Sequence, residues 1–142
     1  MLDIKYMREH EQDVRDAMRR RGASAPIEKA LDLDRERRRL VTEVENLKRE
    51  RNTASEAIGR LRKEGKDASE RQQAVRAIGD RISGLDSRVR DIEAELRGVL
   101  RAIPNVPHAS VPDGKGAEDN VAIRAWGSLR KFDFKPRPHV EI

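Results

Sequence analysis

The sequence predicts a mainly α fold: a long antiparallel two-helix coiled-coil hairpin on a small helical base, followed by a C-terminal loop and a short β segment. Three observations carry this. Val75, Ile78, Ile82, Leu85, Val89, Ile92, Leu96, Val99 and Ile103 recur at alternating spacings of three and four, the a/d seam of a left-handed coiled coil, and no position in that seam is polar. Leu33, Leu40, Val44, Leu47, Ala54, Ile58 and Leu61 keep the same rhythm upstream, with Arg37 and Arg51 at two seam positions. Only Glu64-Gly65-Lys66-Asp67 separates the two stretches, so the second helix must fold back on the first. At about 1.5 Å per residue each limb is roughly 45 to 50 Å long, which makes it an arm.

The elements follow in order. From Asp3 to about Arg21 the chain reads as one or two helices, with Ile4, Met7, Val14, Ala17 and Met18 on the apolar side and Gly22 as the stop. Pro26 suits the start of the long helix, which then begins around Ile27, ahead of the first seam residue. Gly65 is placed to take the left-handed conformation that closes a helix, with Arg60, Arg62 and Lys63 at the negative end of the dipole. Ser69 followed by Gln72 has the spacing of a capping box for the return helix. Two registers fit the tip, Leu61 against Ala68 or, one heptad on, Leu61 against Val75. Ile103-Pro104 ends the second limb. Pro, Gly, Asn and Asp then mark a loop to Asn120, after which Val121, Ile123 and Ala125 alternate as one short strand ending at Trp126-Gly127, with Trp126 read as a packing residue of the base. The expected organisation is therefore a unit over 1–120, with the base at 1–30, the arm at about 27–103 and the loop at 104–120, then a strand and linker over 121–142.

Composition agrees with a thin molecule. Of 142 residues 40% are charged and 36% apolar, too lean for a thick core but enough for a two-helix seam. The absence of cysteine removes disulfides and thiolate metal sites. No apolar run reaches membrane length and Met1-Leu2-Asp3 begins no signal peptide, so a cytoplasmic, membrane-free protein is expected.

A net charge of +5 and a pI near 9.9 point to a polyanionic partner. For any single arginine on the arm, a solvated face of i,i+4 ion pairs explains its presence equally well. The distribution is more informative. Arg60, Arg62, Lys63, Lys66 and Arg71 crowd the tip against only Glu64, Asp67 and Glu70, which makes these five the candidate RNA-binding residues. The aromatic residues, Tyr6, Trp126, Phe132 and Phe134, all lie off the arm, so it lacks the stacking platforms of single-strand readers. Arginines on a rigid rod suit gripping a folded or double-stranded RNA by its backbone and shape.

Several stretches resemble seryl-tRNA synthetase. Met1-Leu2-Asp3-Ile4-Lys5-Tyr6-Met7-Arg8, Leu31-Asp32-Leu33-Asp34 and Arg51-Asn52 are similar to that family. More specific are Ile103-Pro104-Asn105-Val106-Pro107-His108, Ser110-Val111-Pro112, Glu118-Asp119-Asn120-Val121, Trp126-Gly127 and Phe132-Asp133-Phe134-Lys135-Pro136 through His139. The similarity runs the length of the chain in order. It implies the N-terminal tRNA-binding domain, whose arm grips the long variable arm of serine tRNA and delivers the acceptor end to the other subunit of a homodimer. Selenocysteine tRNA is a second partner of the same implied kind. After His139-Val140-Glu141-Ile142 the family continues into a class II catalytic domain that binds ATP, serine and magnesium.

These residues include no phosphate-cradling glycine loop, no carboxylate cluster set up for a metal and no nucleophile beside a base. His10, His108 and His139 are scattered without ligand spacing, and His108 reads as a structural turn residue. The expectation is a chain that binds without catalysis, with no catalytic, cofactor or metal site of its own. An alternative class is a protein-interaction arm or spacer, which would expose an apolar stripe outside the seam. The arm offers little beyond Val41.

Overall fold

The computed structural model describes residues 1–114 and 116–141; Lys115, in the predicted loop, and Ile142, at the end of the predicted linker, lie outside the described residues. Four helices carry the architecture: α1 (Ile4–Glu9), α2 (Glu11–Arg20), α3 (Ile27–Lys63) and α4 (Ser69–Ala102). Helices α3 and α4 pair along their length as the predicted hairpin, and α1 and α2 fold against its root. The N-terminal region is thus two helices, and the long helix begins at Ile27.

Local chemistry sets each boundary. Asp3 Oδ1 accepts the amides of Lys5 (2.6 Å) and Tyr6 (3.3 Å), capping α1. Helix α2 ends at Arg20 and is closed by Gly22, whose φ of 58° lets the Ala23 amide reach Met18 O and its own amide reach Arg19 O. The same paired bonds close α3. Gly65 has φ 69°, its amide donates to Arg62 O at 3.1 Å, and the Lys66 amide donates to Leu61 O at 2.9 Å.

The capping box expected at Ser69 is not the one formed. Helix α4 starts at Ser69 itself, so the capping position falls on Ala68, which has no side chain to cap with. Ala68 is instead buried in the seam, and the polar task moves one residue upstream. Asp67 accepts the Ser69 amide (2.9 Å) through Oδ1 and the Ser69 hydroxyl (2.7 Å) through Oδ2.

The apolar interior comes in two parts. At the root, Met7, Val14, Ala17 and Met18 meet Ile27 and Ala30 of α3, Leu96 and Leu100 of α4, and Ile103. Farther out, Val44 and Leu47 meet Ile82, flanked by Ile78 and Leu85. Pairing Leu47 with Ile82 and stepping outward by heptads sets Ala54 against Val75 and Leu61 against Ala68, the tight-tip register. Ion pairs across the seam agree. Arg81 reaches Glu43 (2.6 Å) and Arg88 reaches Glu36 (3.2 Å), so one heptad forward on α4 is one heptad back on α3.

Between the two apolar parts sits Asp34, 1% exposed and the one buried charged residue among those described. Three guanidiniums converge on it: Arg8 from α1 (3.0 Å) and Arg38 (3.0 Å) on Oδ2, and Arg37 (3.3 Å) on Oδ1. Arg37 also crosses the seam to Glu93 at 3.5 Å, which explains how a seam position tolerates an arginine. Its Nε remains buried without a partner.

Beyond Ile103 the loop lies across the end of α2. Arg20 Nε donates to Asp113 (2.6 Å), Arg20 Nη2 to Val111 O (2.8 Å) and Arg21 Nη1 to Asn105 O (3.1 Å). His108 acts as the predicted turn residue, its Nδ1 accepting the Ser110 amide at 3.2 Å and lying 2.9 Å from the Ser110 hydroxyl. The predicted strand does not form, and among the described residues there is none at all; 121–126 are irregular, and the later elements are short 3-10 turns at Ala117–Asp119 and His139–Glu141. Alternation marks a strand only when a second edge is present to pair with it, and nothing here supplies one. Trp126 is accordingly 89% exposed, so it is not a packing residue of the base.

Replacing Asp34 with Asn keeps the shape but removes the charge that three arginines share. Because those arginines are a third to a half exposed and can reach water, the expected loss is about 2 to 3 kcal/mol, at or below the range for breaking a buried ion pair. A urea unfolding midpoint measured against the unsubstituted chain checks this.

Candidate nucleic-acid interface

The tip is a closed turn with fixed backbone, so the side chains it carries start from defined positions. Arg60, Arg62 and Lys63 lie in the last turn of α3, where the helix dipole favours cations. Arg71 lies in the first turn of α4, where the dipole disfavours one. Helix stability therefore accounts for the first three but not for Arg71.

Partnering separates the five predicted residues. Lys66 Nζ is held by Glu64 at 2.7 Å. Among the described residues, Arg60, Arg62, Lys63 and Arg71 make no ion pair and no side-chain hydrogen bond, and all four are exposed. Two of the three acids counted against them are already engaged, Glu64 by Lys66 and Asp67 by Ser69. The tip thus presents four uncompensated cations beside one free carboxylate, Glu70. Arg76, on the solvent side of α4, is likewise exposed and unpaired. It was not among the predicted residues, which were chosen for their crowding at the tip; Asp80, four positions on, makes no ion pair with it.

The rest of α3 is different. From Arg35 to Arg49 its basic residues are matched: Arg35 by Asp32, Arg37 and Arg38 by Asp34, Arg39 by Glu43, Lys48 by Asp86 and Arg49 by Glu45. No exposed large apolar side chain lies on either limb, so the arm offers no greasy docking stripe. Among the described residues no three His, Asp or Glu side chains are grouped to hold a metal ion, and no helix is long and apolar enough to cross a membrane.

Bonding from the Ser69 hydroxyl and then the Ser69 amide holds the Asp67 carboxyl below the usual carboxylate range. A lowered folded-state pKa stabilises above the unfolded value and is lost as pH falls through the folded one. The protection factor of the Ser69 amide, taken against the intrinsic rate at each pH, should therefore hold from pH 7 down to about 4 and fall only below the ordinary carboxylate value. Asp67→Ala should remove that protection at every pH. Hydrogen exchange read by NMR checks both.

Comparison with known proteins places this geometry in context. The profile of the seryl-tRNA synthetase N-terminal domain matches residues 1–107. The serine--tRNA ligase of Heliobacterium modesticaldum is 56% identical over 142 residues, and that of Geobacillus kaustophilus 48% over 143; each alignment takes in 100% of this chain and 34% of the relative. The crystal structure of seryl-tRNA synthetase from Pyrococcus horikoshii, complexed with ATP, superimposes with a TM-score of 0.77 at 38% identity, covering 89% of this chain and 29% of that one. The chain spans about a third of the length of these relatives. With a hairpin, a root and a sequence profile in agreement, it belongs to the seryl-tRNA synthetase N-terminal domain family.

Proposed function

We propose that this chain is the tRNA-binding domain of a serine-tRNA ligase, and that its arm grips the long variable arm of serine tRNA so that a class II catalytic domain, outside this chain, can aminoacylate the acceptor end. The observation that carries the reading is the closed tip with four unpaired cations on a rigid two-helix rod. Such a tip meets phosphate without rearranging, and a rod without aromatic residues recognises a base-paired stem by shape. The names of the relatives support the identity of the RNA. In the whole protein, ATP and magnesium would serve the catalytic domain, and a homodimer would let the arm of one subunit present tRNA to the other. Selenocysteine tRNA, with a long variable arm of its own, is a further partner of this proposal, and the cytoplasm is the compartment where these partners occur. The alternative of a protein-binding arm has less in its favour, since neither limb exposes a large apolar side chain.

Binding to serine tRNA should fall steeply with salt and should lose most of its preference over other tRNAs when the variable stem is deleted, while exchanged base pairs within the stem should matter little. A filter-binding series with the two RNAs checks this. Equal affinity for intact and stem-deleted RNA would sink the proposal and leave the spacer reading in its place.

Adenylate formation needs an ATP site that these residues do not build. The purified chain alone should therefore show no serine-dependent exchange of pyrophosphate into ATP. Activity that co-purifies with it through successive columns would contradict the binding-only role.

A further inference from the structure

We propose that the outer face of α4 from Arg90 to Arg101 is a second phosphate-binding surface, so that the RNA lies along α4, from the tip toward the root, and not across α3. The inference rests on the tRNA-binding reading above and adds to it the side of the arm that faces the RNA.

The basis is an unequal division of countercharge between the helices. Three acids of α4 reach across to α3: Glu95 holds Lys29 (2.7 Å), Glu93 holds Arg37 (3.5 Å) and Asp86 holds Lys48 (3.5 Å). These pairs neutralise Lys29, Arg37 and Lys48 and take those acids from the arginines of α4 one turn away. Arg90, Arg97 and Arg101 are exposed and make no ion pair or side-chain hydrogen bond among the described residues. Arg90 and Arg97 are one heptad apart and so share a face, with Arg101 one turn farther on the same side. The acids nearest that face are Asp91, exposed at its edge, and Glu95, already engaged by Lys29. The net field there is positive, and Arg76, two heptads before Arg90, carries the same face toward the tip, with Asp80 the exposed acid beside it.

What lies between the arginines is also informative. Ala94 and Gly98 are exposed, and a Cβ built on Gly98 would meet nothing within 4 Å, so packing within the chain does not require the glycine. A mid-helix glycine costs about 1 kcal/mol relative to alanine. Small side chains beside Arg90 and Arg97 allow a bulky polyanion to approach the helix closely while the guanidiniums reach its phosphates. The three arginines span about 16 Å along the axis, and the row from Arg76 to Arg101 about 38 Å. That is long enough to follow a stem and not merely to touch its end.

The test compares three variants of the whole chain in binding to serine tRNA over a salt series: R90Q/R97Q/R101Q on α4, R35Q/R39Q/R49Q on α3 with the same loss of charge, and R60Q/R62Q/R71Q at the tip. The α4 variant should bind at least tenfold more weakly near 0.1 M salt, with a log–log slope shallower by about two to three, one contact's worth per arginine. The α3 variant should lose little of either. Equal effects of the α3 and α4 variants would overturn the inference. Loss of binding in the tip variant alone would also overturn it while leaving the tRNA reading intact, whereas absence of tRNA preference in the unsubstituted chain would overturn both. Protection of arginines from phenylglyoxal by bound tRNA, read by mass spectrometry on the unsubstituted chain, needs no variant to fold. Arg90, Arg97 and Arg101 should be protected and Arg35 and Arg49 should not; the reverse pattern refutes the inference.

Discussion

Closure of the tip governs the arm. The left-handed Gly65 and the bond from the Lys66 amide to Leu61 O end α3 at a fixed residue, and Asp67 starts α4 only a few residues later. With so little chain between them the helices have one register, Leu61 beside Ala68. A slip of one heptad would take Ile82 from the pocket made by Val44 and Leu47 and would part Arg81 from Glu43 and Arg88 from Glu36. Each of those exposed ion pairs is individually weak. Their value is that they agree with the turn and the apolar seam on the same pairing.

The register then determines the surface. Because Glu93, Asp86 and Glu95 face α3, Arg37, Lys48 and Lys29 are neutralised within the hairpin. The outer arginines of α4 are left without counterions, and so is most of the tip. A chain that is only modestly basic as a whole thereby carries a strongly basic side. At cellular ionic strength charges are screened beyond about 8 Å, so it is this local arrangement and not the net charge that a phosphate meets.

At the root, Asp34 stands where the two apolar parts of the interior part company. Its three arginines come from both the base and the arm, so one carboxylate ties α1 to α3. Directional bonds to a buried charge resist rotation better than the apolar contacts around them. The arm is thereby fixed to its base where a two-helix rod would otherwise pivot.

Much of this was legible in the residues themselves. The heptads of Val75 to Ile103, the short Glu64 to Asp67 link, and the stops at Gly22, Gly65 and Pro104 determined the hairpin and its ends, because helix periodicity and left-handed glycines act within a few residues. The basic tip was visible for the same reason. Tertiary structure alone decided what depends on a second segment. The alternation of 121–125 suggested a strand, but a strand needs an edge from elsewhere in the protein, and Trp126 stays exposed without it. Ser69 had the spacing of a cap, but burial of Ala68 against the seam handed that task to Asp67. Whether an arginine is free or paired was equally hidden: Arg38 and Arg97 look alike in sequence, yet one is bonded to a buried carboxylate and the other is bare. Countercharge crosses the seam, and only the folded register says which acids it takes.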